Sequence, residues 1–456
     1  MGCLEASFIT HHRKDMRELI ENLKIEKIVN KGLGLGFSNL NPVFVTHSVP
    51  EDVVDVEVSY KKKQVIFADI KEIRKASEYR INPECEVFGE CGGCDWLHIA
   101  YKDHPKFKNE ILKELFKKVG IVPKIVHAEK DFRYRNKTFM PVGIRNGEPV
   151  IGIFSKRSHQ VVPHSDCLIL PELFNDFVKE LLLYIKASGI KIYDEVSRKG
   201  NLRHIGIRYS ESEDKVLLIL VTKTRKLPFS GQLIKRMTQK FTNISGIIQN
   251  INPNFGNRIL GSDEKVIFGE SCLTEKIDNK MFKLNYNSFF QVNLEITKKI
   301  YDFVAENVSE NSKVIDAFSG VGSIGIYLSG KANKLYLIEN NPEACKNAEQ
   351  NLKLNNITNG FVINGNTHQE IEKILQEEEI DTIIFDPPRK GLEKRTVEIL
   401  LENTVDRIIY VSCDPATQVR DLLLLQKKYE IVKVKAFDMF PQTFHIETLA
   451  ILQCKK

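Results

Sequence analysis

The chain has 456 residues, room for two to four domains at roughly 100–200 residues each, and its 42% hydrophobic and 28% charged content is that of a soluble globular protein. No apolar run approaches the roughly 20 residues that span a bilayer, and the N-terminus lacks the apolar segment of a secretory signal, so the expected location is the cytoplasm. The opening Met1-Gly2-Cys3 carries Ala6 where an acylation signal needs Ser or Thr, which excludes N-terminal myristoylation.

The net charge is +6, with basic residues gathered at Lys61-Lys62-Lys63, Lys71 to Lys75 and Arg133 to Lys137, a distribution that favours a polyanionic partner over a solvated basic face. Nine cysteines without a secretory signal point to metal or catalytic use rather than a disulfide scaffold. Cys3, Cys272, Cys345 and Cys454 have no evident partners in the pattern.

Residues 1–20 read as polar and frayed. From 21 to 76 short alternating segments broken by turn residues predict a small, OB-like β-barrel, and a basic rim on such a barrel suits RNA. Gly32, Gly34 and Gly36 are not followed by a helix pattern, so they read as bulge or turn glycines rather than a nucleotide fingerprint.

Residues 77–270 read as a central α+β domain around a cysteine cluster. Cys85, Cys91 and Cys94 fall within ten residues, the last two separated by Gly92-Gly93, so three thiolates can converge on one metal centre. A fourth ligand is expected from Cys167 or, locally, His98. Three cysteines with His98 suit zinc, whereas four suit zinc or an iron–sulfur cluster; spacing does not choose. Residues 104–120 predict an amphipathic helix stopped by Gly120, and further helices are expected near 171–188 and 231–241 among strands. Phe132-Arg133-Tyr134-Arg135 and Arg203-His204 with Arg208 interleave basic and aromatic groups as single-stranded RNA contacts do, or as the solvent face of a sheet does.

Residues 271–456 predict a Rossmann-like α/β domain. A strand ends at Asp316, and Gly320-x-Gly322-x-x-Gly325 opens a helix; nineteen residues past Gly320, Glu339 ends a second strand, where a carboxylate can accept from both ribose hydroxyls. A third strand leads to Asn366. These features fit a dinucleotide or S-adenosylmethionine equally. Two further apolar runs end in reactive turns: Asp386 before Pro387-Pro388, and Cys413 before Asp414-Pro415. The Asp-Pro-Pro turn tips the balance to methyl transfer on a base, and a thiol at a strand end points into a cleft or packs in the core.

Assembled, these motifs resemble the RNA uracil-C5-methyltransferase family, most closely its iron–sulfur-containing 23S rRNA branch. The resemblance spans nearly the whole chain. Residues 25–73 resemble the TRAM barrel of that branch, and FFQVN (289–293), DAFSGVGSIG (316–325), FDPPRKG, VSCDPAT and MFPQTFHIET (439–448) match its catalytic motifs in order. The resemblance implies [4Fe-4S] ligation by Cys85, Cys91, Cys94 and Cys167, and S-adenosylmethionine contacts from Gln291, Phe318, Gly320, Ser323, Glu339, Asn366 and Asp386. It implies Cys413 as nucleophile, Glu447 as general base, a flipped uridine of 23S rRNA as substrate and a monomeric enzyme. Phe440 and Phe444 are candidate base stackers or core residues. Three positions depart from the family pattern: Asp414 replaces the usual Asn, Ser319 a common Cys, and Ser323 a frequent Asn or Thr. A carboxylate facing the thiol would oppose its ionisation, so Asp414 is expected to face away. The competing readings are a tRNA T-loop uridine methyltransferase, a non-catalytic RNA-binding assembly protein, and an iron–sulfur radical enzyme, whose usual C-x3-C-x2-C spacing is not met here.

Overall fold

The computed structural model describes residues 18–156 and 158–456. The acylation test at Ala6 and Cys3 lie outside the described residues. Of the residues expected to be frayed, Leu19 and Ile20 pair in the strand Leu19–Lys24, and residues 1–17 lie outside the described residues. Among the described residues no helix is long and apolar enough to cross a membrane.

Residues 18–81 with His98–Ala100 form one compact unit. Its six strands are ordered Leu19–Lys24, Val53–Lys62, Val65–Lys75, Asn41–Thr46, Leu33–Ser38 and Lys27–Val29. Alternation along them sends Val43, Val45, Val54, Val56, Ile66 and Ala68 to one buried face. The sheet curls tightly enough that a Cβ on Gly36 would meet the Lys24 carbonyl at 2.5 Å, which explains this glycine as a close-approach residue.

The second unit holds the rest of the chain and contains two larger sheets. In the first, seven strands run in the order Val161–Pro163, Glu148–Phe154, Lys137–Arg145, Leu202–Ser210, Lys215–Thr222, Ile244–Ile251 and Asp263–Gly269. The helices Glu172–Ser188 and Ser230–Lys240 cover it, burying Phe174, Phe177, Leu181, Leu233 and Met237 against Leu218, Leu220 and Ile247.

The C-terminal sheet has eight strands, ordered Gly360–Asn364, Ala332–Glu339, Ser312–Ala317, Thr382–Phe385, Arg407–Ser412, Glu447–Cys454, Tyr429–Phe437 and Ile125–Val126. The first five pair in parallel and are continuous apolar runs, as strands covered on both faces must be. Glu447–Cys454 then enters antiparallel to both of its neighbours. Strand order reverses at Ser312–Ala317: the chain runs outward through Ala332–Glu339 to Gly360–Asn364 and returns to place Thr382–Phe385 on the other side, and in open α/β sheets ligands bind at the carboxyl ends of the strands flanking such a switch. The edge strand Ile125–Val126 comes from a segment expected in the central region, so the two larger sheets are interlaced in sequence.

Candidate active site

Above those carboxyl ends lies a cavity of about 560 Å3 lined by all nine residues expected to serve the cofactor and the chemistry: Gln291, Phe318, Gly320, Ser323, Glu339, Asn366, Asp386, Cys413 and Glu447. The sheet register brings the last two together. Ser412 pairs with Thr448 in the antiparallel ladder, so the next pair outward is Cys413 with Glu447. Asp386 follows the neighbouring strand Thr382–Phe385, which completes a row of three acidic groups across adjacent strand ends.

The glycine turn sits at the other end. Phe318 and Gly320 both adopt left-handed backbone, with φ of 63° and 56°, and the space beside the Gly320 Cβ position is open. Strained backbone of this kind collects at ligand sites. Glu339 holds the turn in place: one carboxylate oxygen accepts from Gly320 N at 3.0 Å and the other from Asn341 N at 2.8 Å. Each oxygen keeps a lone pair for a further donor. Ser323 Oγ accepts from Tyr301 Oη at 2.7 Å, so its own hydroxyl proton remains to be given. Asn366 caps the helix Thr367–Glu377 through its side-chain oxygen, which leaves its amide N–H groups to donate.

Electrostatics set the protonation states. Burial pushes the Glu447 carboxyl up to about 8, with the Asp386 charge adding and Arg389 opposing. Desolvation pushes Asp386 up to about 6. The half-buried Cys413 thiol is pushed up to about 11, first by desolvation and then by the Glu447 and Asp386 charges, with Arg389 again opposing. Asp414 contributes nothing to this list: its carboxylate turns away to cap the helix Pro415–Leu425, accepting from Thr417 N at 3.0 Å.

Several lining residues were not assigned roles from the sequence. Asp316 lies buried under the glycine turn, accepts from Gly325 N at 2.9 Å and is pushed up to about 7 by burial. Tyr301, Arg389 and His445 also line the cavity. The signal for Asp316 was its place at a strand end beside the glycine motif; Tyr301 stands on a helix whose pattern gives only packing. Phe440 and Phe444 are both half-buried beside His445, and only Phe440 reaches the cavity, whereas Phe289 stands 72% exposed at its edge.

The four expected metal ligands, Cys85, Cys91, Cys94 and Cys167, line a second cavity of about 480 Å3. Burial raises the Cys94 thiol, and the neighbouring Cys167, Cys91 and Cys85 raise it further. Among the described residues no group of three or more His, Cys, Asp or Glu is arranged to hold a metal ion. The alternative ligand His98 belongs to the N-terminal unit, where its ring meets His47 edge-on at 5.9 Å. Phe289 and Phe290 line both cavities.

The basic–aromatic pairs expected at RNA are instead structural. Arg203, His204, Arg208 and Tyr134 are buried. Arg203 donates to the carbonyls of Asn252 and Asn254, Arg208 to those of Asn285 and Ser288, and Arg133 forks onto Asp166. Alternation in a strand shows which residues share a face, but both faces of this sheet are covered.

The fold and cavity define a class I methyltransferase domain in which a strand-end thiol stands opposite a carboxyl. The family described as tRNA (Uracil-5-)-methyltransferase matches residues 100–455, and the chain belongs to this RNA uracil-C5-methyltransferase family. It is 35% identical over 439 residues to an uncharacterized RNA methyltransferase of Clostridium tetani, covering 94% of this chain and 95% of that one. A Clostridium acetobutylicum protein of the same description is 36% identical over 440 residues, covering 94% and 96%. Among solved structures, the Pyrococcus abyssi tRNA (uracil-54, C5)-methyltransferase in complex with S-adenosyl-L-homocysteine superposes with a TM-score of 0.77 at 26% identity, covering 94% of this chain and all of that one.

Proposed function

We propose that the protein transfers the methyl group of S-adenosylmethionine to C5 of a flipped uridine in 23S rRNA, with Cys413 as nucleophile and Glu447 as general base. The observation that carries this reading is the meeting of Cys413 and Glu447 in one cavity, one residue beyond the paired Ser412 and Thr448, with Asp386 and the glycine turn lining the same space.

Uracil C5 is a weak nucleophile. Addition of the Cys413 thiolate to C6 breaks the C5–C6 double bond and leaves electron density at C5. Bound S-adenosylmethionine supplies an electrophilic methyl group there. Glu447 then removes the C5 proton, the C5–C6 double bond re-forms, and the C6–S bond breaks to return the thiolate. Gln291, Phe318, Gly320, Ser323, Asn366 and Asp386 would hold the cofactor, with Glu339 accepting from its ribose. Extruding the base from its stack requires a grip on the flanking strand. The N-terminal unit, read as TRAM-like with a basic rim, would bind RNA, and Phe289 offers an exposed ring at the cavity edge.

Cys85, Cys91, Cys94 and Cys167 would hold a [4Fe-4S] cluster. Four thiols around one cavity suit thiolate ligation of such a centre.

Cys413→Ala is expected to abolish methyl transfer, and Glu447→Gln to trap an RNA–protein adduct that survives denaturing gels. Wild-type turnover in either variant refutes the roles. Likeness to the P. abyssi enzyme favours tRNA as a second reading of the substrate. Mass mapping of 5-methyluridine in rRNA and tRNA from cells lacking the protein separates the two.

A further inference from the structure

The loop 438–446 joins the strand Tyr429–Phe437 to Glu447–Cys454 and brings Phe440, His445 and Glu447 to the cavity. Glu447 itself is fixed at the backbone by its pairing with Phe437, so the loop decides where its carboxyl and the adjoining wall stand. Nothing within the loop is regular, and Gln442 is held at φ 66°.

What holds it comes from the segment that begins at Cys94. The Gln442 carbonyl accepts from both Asp95 N and Trp96 N at 3.0 Å, and the Pro441 carbonyl accepts from Tyr134 Oη at 3.0 Å. Lys108, from the helix His104–Phe116, reaches both ends of the loop. Its Nζ donates to the Asp438 carboxylate at 2.7 Å, where the loop begins, and to the His445 carbonyl at 3.1 Å, two residues before Glu447. Both partners of this ion pair are buried, at 0% and 1% exposure. Tyr101 Oη also donates to Asp438, at 3.2 Å.

An ion pair withdrawn from water gains little net stability over an apolar pair of the same volume, so folding alone does not call for one here. Its geometry does something an apolar pair cannot: one cation closes the loop by bonding its first residue and its penultimate carbonyl. A general base must lie within hydrogen-bond reach of its proton, and an error of about 1 Å costs roughly a hundredfold.

We propose that Lys108 is a positioning residue that acts through Asp438 and the His445 carbonyl to hold Glu447 for the removal of the C5 proton. This rests on the assignment of Glu447 as the base. Cys413 follows a different strand, and the hydrogen bonds of Lys108 go to Asp438 and the His445 carbonyl, so the addition step is expected to survive its loss.

The test compares Lys108→Met, the double variant Lys108→Met/Asp438→Asn, and Glu447→Gln. The double variant removes both charges together and leaves no unpaired buried ion. With unmethylated RNA from cells lacking the protein, the Lys108 variants are expected to turn over roughly 10- to 100-fold more slowly. They should accumulate denaturation-resistant adduct, with KM for RNA and affinity for S-adenosylhomocysteine unchanged. With RNA transcribed to contain 5-fluorouridine, no C5 proton is available, and adduct should form at the wild-type rate in the Lys108 variants and no more slowly in Glu447→Gln. Wild-type turnover in the double variant overturns the proposal, as does parallel loss of adduct on 5-fluorouridine RNA. If Glu447→Gln accumulates adduct while the Lys108 variants do not, Lys108 has no positioning role. If Glu447→Gln itself accumulates none, the base assignment falls instead.

Discussion

Replacing Glu447 by Gln should make Cys413 more reactive while stopping turnover, and the opposition of those effects tests the site's electrostatics. The thiol is pushed up to about 11, with the Glu447 charge as the second cause after desolvation. Two charges roughly 6 Å apart interact by about 3 kcal/mol at an effective dielectric of about 20. Cys413 is half-buried, and solvent screening reduces this to about 1–1.5 kcal/mol, or about one pKa unit. The sign follows directly: a carboxylate beside a thiolate disfavours it, so an uncharged amide lowers the thiol pKa. Between pH 8.5 and 10, where Glu447 with a value of about 8 is largely ionised, the thiolate fraction should rise roughly tenfold. Iodoacetamide labelling followed at the Cys413 peptide by mass spectrometry reads that change without interference from the other cysteines. An unchanged pH profile would show that the two groups are not electrostatically coupled.

Glu447→Gln should also flatten part of the stability profile. A carboxyl raised from 4.5 to about 8 on folding contributes its stability below about pH 4.5 and loses it as pH rises through 8, so the variant should melt a few degrees higher than wild type at pH 8.5 and no higher at pH 5. Equal differences at the two pH values would contradict this. Glu339→Ala removes both the acceptor for Gly320 N and a ribose acceptor and should weaken S-adenosylhomocysteine binding by roughly 10- to 100-fold in calorimetry, as loss of about 1.5–3 kcal/mol from a charged hydrogen bond implies; unchanged affinity would remove it from the site. Anaerobically purified protein should carry iron and sulfide in equal amounts, and Cys94→Ser should lose both; zinc in place of iron would replace the cluster with a mononuclear site.

Much of this site was readable because its residues stand at chain positions with their own signatures. Asp386 and Cys413 close continuous apolar runs, and prolines after each prevent the strand from continuing. The glycine turn and Glu339 announce themselves by spacing. Glu447 had no such signal, since it begins a strand rather than ending one, and it was named only through the family motif. Lys108 did leave a trace: it shares the buried stripe His104, Phe107, Ile111 and Leu112, and a lysine inside an apolar stripe asks for a buried acid. The two-residue strand Ile125–Val126 is too short to show periodicity, and the burial of Arg203 and Arg208 depends on what covers the second face of their sheet. Strand patterns record alternation; coverage is decided by elements far away in sequence.

The cavity's charges bear on how the proposed nucleophile would be activated. Cys413, Asp386 and Glu447 are all held towards their protonated forms by burial, Cys413 also by both carboxylates and Glu447 also by Asp386, and the exposed Arg389 is the cation that opposes this at Cys413 and Glu447. A bare thiolate here would be open to oxidation and alkylation. A sulfonium bound between Asp386 and the glycine turn adds a positive charge to the same cavity, which favours every anionic form in it. With the same solvent screening at the half-buried thiol, that charge is worth on the order of one pKa unit, which lowers the thiol from about 11 towards ionisation. Neutral S-adenosylhomocysteine lacks that charge, so on the proposed mechanism nucleophile activation would belong to the loaded enzyme and lapse once the methyl group has gone.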